Sequence, residues 1–174
     1  MSVRKILVVL GGDPPGKEIL DWRMEESDLI IAVDSGWHAF RNAGISPDIL
    51  IGDMDSWMGK ESDVPKNVEI IVEKDQNSTD FQKTIQLIFS REDPKELLIL
   101  GGLGNRSDHL LSNLLVVCKI PQKVKVTFDS RLEWIQRVTA DTPLIIKGQQ
   151  GATISLLPGS PCVGVSSTGL KWEL

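Results

Sequence analysis

Short runs of apolar, largely β-branched residues recur along the chain at 6–10, 29–33, 49–51, 68–72, 97–100 and 124–128, each followed by a polar or glycine-containing stretch. Because these runs lack the alternation of a half-solvated strand, they predict strands covered on both faces, as in a parallel sheet with crossover helices. Two intervening segments have helical spacing instead. Residues 79–90 set Phe81, Ile85 and Ile88 at i, i+4 and i+7, and residues 107–119 set Leu110, Leu111, Leu114, Leu115 and Cys118 on a single stripe. Both are expected to pack on the sheet. His38, just after Gly36 and Trp37, falls on a further helix and reads as an ordinary, partly exposed residue.

Beyond Asp129 the texture changes. Short strands are expected at 132–138, 144–146, 153–157 and 162–166, with hairpin turns at 147–151 and 158–161 where Gly and Pro gather. The expectation is therefore an α/β fold in two parts: residues 1–129 as a mostly parallel sheet with flanking helices, and residues 130–174 as a small all-β, sandwich-like domain. So short a β segment has little core of its own, which predicts docking on the first domain or on a second chain. A homodimer would cover its open edge.

Composition narrows the function. The 174 residues include 19 Lys and Arg against 24 Asp and Glu, a formal charge of -5, and the apolar share is 41%. That balance disfavours a nucleic-acid partner, which needs clustered cations. No apolar run approaches the roughly 20 residues of a membrane span. Arg4 and Lys5 precede an apolar run too short for a signal segment, so the expected compartment is the cytoplasm. Cys118 and Cys162 have neither zinc-ligand nor disulfide-framework spacing and are expected to be small core residues.

The chemistry gathers where the predicted strands end, which is where open α/β sheets bind ligands. The clusters are Asp34-Ser35-Gly36, Gly52-Asp53-Met54-Asp55-Ser56, Lys74-Asp75 leading to Thr79-Asp80, and Gly101 to His109. In an extended segment Asp53 and Asp55 point to the same side, and two carboxylates so close call for a cation. Hard oxygen donors suit Mg2+ completed by water and phosphate. The alternative is a pair of solvated loop acids. Gly101, Gly102 and Gly104, followed by Arg106, give a strand, a glycine turn and a helix start, a place where backbone N–H groups and a guanidinium receive phosphate. A plain tight turn with Ser107 as N-cap and Asp108 facing the helix dipole is the other reading. Thr79 and Asp80 likewise open a helix, so capping competes with a ligand role. No Ser-His-Asp or Cys-His arrangement emerges.

Taken in order, Ala32 to Gly36, Pro47 to Ser56, Lys74-Asp75 with Thr79-Asp80, and Gly101 to His109 resemble the thiamine pyrophosphokinase family. The likeness continues through 151–158 and Thr168-Gly169-Leu170-Lys171-Trp172. It implies transfer of the diphosphate of ATP to the thiamine hydroxyl, with Mg2+ as cofactor and AMP released, by a homodimer. It further implies Asp53, Asp55 and Asp80 as metal ligands, with Asp55, Asp80, Arg106 and Asp108 in catalysis. Asp34, Ser35, Gly36, Lys74, Asp75, Thr79, Gly101, Gly102, Gly104, Arg106 and His109 would line the nucleotide, and Trp172 would meet thiamine. Ser35 stands where the family commonly has Gly, Met54 where it has Phe, and Asn105 where it has Gly. Family members continue past the Gly-Leu-Lys-Trp segment into further strands with a Ser-Asn pair on thiamine, so 130–174 is expected to be a shortened version of that domain. The alternative expectation is a relative that keeps the Mg2+ and nucleotide site, has lost thiamine recognition, and serves a regulatory or other role.

Overall fold

The computed structural model describes residues 5–53, 64–104 and 106–174. Asp55, with Met54, Ser56 and Asn105, lies outside the described residues. Seven strands form one sheet: β1 (Lys5–Val9), β2 (Leu29–Val33), β3 (Ile49–Gly52), β4 (Glu69–Val72), β5 (Glu96–Leu100), β6 (Lys125–Asp129) and β7 (Trp134–Gln136). Their order across the sheet is β4-β3-β2-β1-β5-β6-β7, with every neighbouring pair parallel except β6 and β7. The four helices are α1 (Lys17–Glu25), α2 (Trp37–Ala43), α3 (Asp80–Arg91) and α4 (Ser107–Cys118). The expected α/β class with a mostly parallel sheet is the observed one.

Alternation within the strands builds two cores. Ile6 and Val8 of β1 face one side with Phe81 and Ile88 of α3 and Val116 and Val117 of α4. Leu7 and Val9 face the other with Leu20 of α1 and Trp37 and Phe40 of α2. Strands buried on both faces leave little room for polar positions, which is why their sequences read as unbroken apolar runs.

Two expectations need correction, and a third point is an element not anticipated. The α4 stripe is split: Val116 and Val117 are buried, while Leu111, Leu115 and Cys118, at i, i+4 and i+7, face solvent. The helix carries apolar residues on more than one side, so periodicity alone does not say which side meets the sheet. Cys118 and Cys162 are both exposed rather than in the core. The third concerns α1, which the apolar pattern did not single out, because Leu20 is its one buried residue.

Trp134–Gln136, assigned from the sequence to the β appendage, extends the sheet antiparallel to β6. Just beyond it Arg137 donates to four carbonyl oxygens, those of Val117, Ile120, Pro121 and Val124, at 2.5–2.8 Å. These are carbonyls at the end of α4 and in the turn after it, so a single guanidinium ties that turn to the sheet edge. The chain divides into two compact units, Met1–Leu144 and Ile145–Leu174. The second turns at Gly148 and Gly151, both at positive φ, but pairs no strands. Its apolar side chains, among them Leu157, Val163 and Trp172, are exposed. Among the described residues, no helix is long and apolar enough to cross a membrane.

Candidate functional site

β1 is followed in sequence by β2, β3 and β4 on one side, and then by β5 and β6 on the other. The strand order therefore reverses between β1 and β5, and the crevice outside their carboxyl ends is the place where such sheets bind ligands. Two glycine loops meet there. The amide of Gly12 donates to the Gly101 carbonyl at 3.0 Å, and that of Leu10 to Leu100 at 2.8 Å. A Cβ on Gly104 would collide with the backbone of Gly12 and Asp13. Glycine is thus required at 104 by close backbone approach, not by turn chemistry alone. Gly102 lies under the Phe128 ring, and its carbonyl accepts from Asn113 Nδ2 at 3.0 Å. Sequence reasoning found Gly101, Gly102 and Gly104 but passed over Gly11-Gly12-Asp13. The available signal was a glycine pair directly after a strand.

From β1 towards the β4 edge the strand tips are joined in a row. Ser35 and Gly36 form a single helical turn after β2, and a pocket of about 140 Å³ beside them is lined by Leu10, Gly11, Ser35, Gly36 and His38. His38 therefore lies nearer the crevice than an ordinary helix position implies. Asp34 has φ +48, a left-handed backbone that costs a residue with a Cβ about 1–2 kcal/mol. Such strain persists where surrounding structure enforces it, often at functional positions. A Cβ on Gly52 would sit 3.1 Å from Asp34 Cα, so the tips of β2 and β3 are in direct contact. The Gly52 carbonyl in turn accepts from the Glu73 amide at 2.9 Å, linking β3 to the end of β4. Glu73 then accepts, through its own carbonyl, from Lys83 Nζ at 3.3 Å, and the same ammonium lies 3.0 Å from Asp80 Oδ1. Asp34, Asp53 and Asp80 are thereby carried on consecutive tips that touch or hydrogen-bond to one another.

The first turn of α3 is held by a capping box: Gln82 N–H donates to Thr79 Oγ1 at 3.2 Å, and Thr79 N–H donates to Gln82 Oε1 at 2.8 Å. The hydroxyl oxygen of Thr79, expected on the nucleotide, is engaged as the cap. Lys74 and Asp75 are exposed; Asp75 accepts from the Asn77 backbone at 3.0 Å and its side chain at 2.8 Å, and these bonds hold its carboxyl below the ordinary range. Asp75 thus shapes its own loop.

At α4 the N-cap is Arg106 rather than Ser107. Arg106 makes a two-pronged pair with Asp108, Nε to Oδ1 at 3.2 Å and Nη2 to Oδ2 at 2.6 Å. The Arg106 bond holds the Asp108 carboxyl down at about 2. At neutral pH Asp108 is therefore a fixed negative charge and holds no proton to give. His109, next in the same turn, is exposed. Trp172, in the second unit, is exposed with the Lys171 ammonium 4.5 Å over its ring.

Carboxylate oxygens at the tips of β2, β3 and α3 are the hard donors that suit Mg2+. Among the described residues, however, no group of three or more His, Cys, Asp or Glu side chains is close enough together to hold a metal ion. The expected set of Asp53, Asp55 and Asp80 includes a member outside the described residues.

Comparison with known proteins supplies the family. Residues 21–128 match the family described as thiamin pyrophosphokinase, catalytic domain. A thiamine pyrophosphokinase of Oryza sativa subsp. japonica is 31% identical over 139 residues, 74% of this chain and 53% of the relative. The chain thus spans about half the length of that relative. One from Arabidopsis thaliana is 31% identical over 200 residues, 99% of this chain and 74% of the relative. Among solved structures, the thiamine pyrophosphokinase of Bacillus subtilis superposes with a TM-score of 0.58 at 26% identity, covering 74% of this chain and 61% of that one. The yeast enzyme, at 20% identity and a TM-score of 0.60 over 75% of this chain and 59% of its own, shares the fold. With its catalytic-domain match running from α1 into β6, over sheet tips that meet as described, the chain belongs to the thiamin pyrophosphokinase family.

Proposed function

We propose that this protein transfers the diphosphate of ATP to the hydroxyl of thiamine and releases AMP. The observation that carries the reading is the run of linked tips bearing Asp34, Asp53 and Asp80 beside the glycine crevice, in a chain whose residues 21–128 match the family's catalytic domain. The thiamine hydroxyl oxygen forms a bond to the β-phosphorus as the bond from that phosphorus to the oxygen shared with the α-phosphate breaks. AMP leaves with that oxygen, and the hydroxyl proton passes to solvent. Little covalent work is left to the protein, so positioning and charge supply the rate.

In this reading Asp53, Asp55 and Asp80 would hold Mg2+, which would supply positive charge to offset that of the polyphosphate. Asp34, Ser35 and Gly36 with Gly101, Gly102 and Gly104 let the backbone approach the nucleotide closely. Lys74, Asp75, Thr79 and His109 border the same edge. Arg106 presents its guanidinium to phosphate oxygens while Asp108 fixes its orientation, and because Asp108 stays ionised it serves as an anchor, not as an acid. Trp172 offers an aromatic face to the thiamine ring. The working form is a cytoplasmic homodimer, which light scattering would check against a monomer of 19.2 kDa.

The deciding experiment incubates the protein with ATP, Mg2+ and thiamine and measures both products. AMP and thiamine diphosphate in equal amounts are expected. ATP bound in a Mg2+-dependent way, with no AMP formed, would replace this reading with that of a nucleotide-binding relative.

A further inference from the structure

Lys83 is the single charged residue among the described residues that is buried, with 7% of its side chain exposed. Lysine is almost never so enclosed unless its charge is matched. Here the match is Asp80, three residues earlier on the same face of α3, at 3.0 Å, while the Glu73 carbonyl at 3.3 Å fixes the ammonium to the end of β4. Thr84, fully buried, donates its hydroxyl to the Asp80 carbonyl at 2.7 Å. Asp80 itself keeps 32% of its side chain exposed. Its turn is therefore clamped from the protein side by Lys83, Thr84 and the Thr79–Gln82 cap, while part of its carboxylate faces outward.

We infer that Lys83 is a positioning residue of the ATP site: it sets the orientation of the Asp80 carboxylate and offsets one negative charge among the acidic strand tips. The inference rests on the reading of this edge as a site for metal-complexed ATP. Its physical content is a difference of sign. A bare divalent cation gains from every negative charge left uncompensated, so a buried ammonium opposes it. A cation complexed with a triphosphate is itself an anion, so the same ammonium favours it. By cancelling the charge of Asp80, Lys83 thus biases the edge towards the complex and against the free metal, without contacting ATP itself.

The test uses the full chain with Lys83→Met, Lys83→Arg, Asp80→Asn and the Lys83→Met/Asp80→Asn double variant. Binding of ATP with Mg2+ is followed by calorimetry, and binding of Mn2+ without nucleotide by electron paramagnetic resonance. Lys83→Met is expected to weaken ATP binding by about tenfold, the scale of losing one nearby positive charge for an anionic ligand. It should tighten Mn2+ binding, Lys83→Arg should restore most of the ATP affinity, and the double variant should bind ATP no more weakly than Asp80→Asn alone. If Lys83→Met does not fold by circular dichroism, Lys83→Gln, which keeps a donor and removes the charge, is read in the same way. ATP affinity unchanged by loss of the Lys83 charge, or penalties that multiply in the double variant, would overturn the role of Lys83 and leave the site standing. A wild-type chain that binds no ATP with Mg2+ would overturn both.

Discussion

The two edges of the sheet carry similar residue types but use them differently. At the amino edge, charges are paired across the surface in the open: Lys5 with Glu26 at 2.9 Å, Lys125 with Glu96 at 2.9 Å, and Arg91 with Glu69 at 2.8 Å. At the carboxyl edge a lysine is buried to meet Asp80, Asp34 adopts a left-handed backbone, and glycine loops touch where no Cβ fits. The first edge is built of inexpensive, interchangeable contacts, and the second of enforced ones. Concavity does not separate them: the larger depression, about 380 Å³, is at the amino edge, lined by Leu29, Asp48, Ile49, Glu69 and Arg91. Strain, close backbone approach and a matched buried charge, rather than volume, set apart the edge proposed to bind the ligand.

The sharpest way to break this comparison is to remove one carboxylate from each edge. Asp53→Asn is expected to lower AMP formation by about three orders of magnitude, the scale of losing one electrostatic element of a transition state. Glu96→Gln, which removes a charge at the amino edge, should leave turnover close to wild type. Both proteins should give the same circular dichroism spectrum. Equal losses would mean that the edges are not functionally distinct.

Next in size is Gly104→Ala. Its added methyl would meet the Gly12 and Asp13 backbone, so the loops at the β1–β5 reversal must move apart. Backbone shifts forced by overpacking cost about 1–3 kcal/mol, and the same displacement should weaken ATP binding by at least tenfold. Calorimetry of ATP with Mg2+ and a thermal melt separate the two effects. An unchanged affinity would remove the crevice from the nucleotide site.

How much of this was legible beforehand depends on which force set each feature. Leu29–Val33 was readable to the residue because a strand enclosed by helices on both faces must be apolar throughout. The α3 stripe was readable because its other apolar residues, Leu87 and Phe89, pack against the same core as Phe81 and Ile88, whereas α4 carries Leu111 and Leu115 away from Val116 and Val117. The acidic tips were found from residue type and position after strands. Lys83 was not, although Asp80 and Lys83 at i and i+3 already predict a pair; a lysine in a helix reads as surface until burial is known. The contact between Gly12 and the loop after β5 was invisible for a different reason: it depends on β5 returning beside β1, a fact of topology rather than of local pattern. Residues 144–146, 153–157 and 162–166 had strand-like composition, yet strands form by pairing, and none pairs there.

A smaller effect tests the amino edge by itself. Arg91→Gln removes the ion pair with Glu69, whose side chains are 45% and 50% exposed. Exposed pairs contribute about 0–1 kcal/mol. The melting temperature should move by no more than a few degrees and turnover should not change. A large loss of turnover would show that the amino edge is coupled to the chemistry.

The smallest effect concerns an exposed pair at the carboxyl edge, Arg106 with Asp108. The Asp108 carboxyl titrates at about 2 in the folded chain against an ordinary 3.8, because Arg106 bonds its charged form. A depressed carboxyl stabilises the fold above the unfolded value, and that stabilisation is lost as pH falls from about 4 through about 2. Between pH 7 and pH 5 the group is ionised whether the chain is folded or not, so it adds no slope there. Wild type and Asp108→Asn should therefore show parallel melting temperatures from pH 7 to pH 5 and converge only below pH 4, by a small amount because both partners face solvent. The same reasoning fixes the pH profile of kcat/KM. Any decline between pH 7 and pH 5 belongs to another group, so Asp108→Asn should lower the profile uniformly without changing its shape. A variant profile that loses an ionisation in that interval would show that Asp108 does carry a proton in the reaction, and that its pairing with Arg106 is broken when substrate binds.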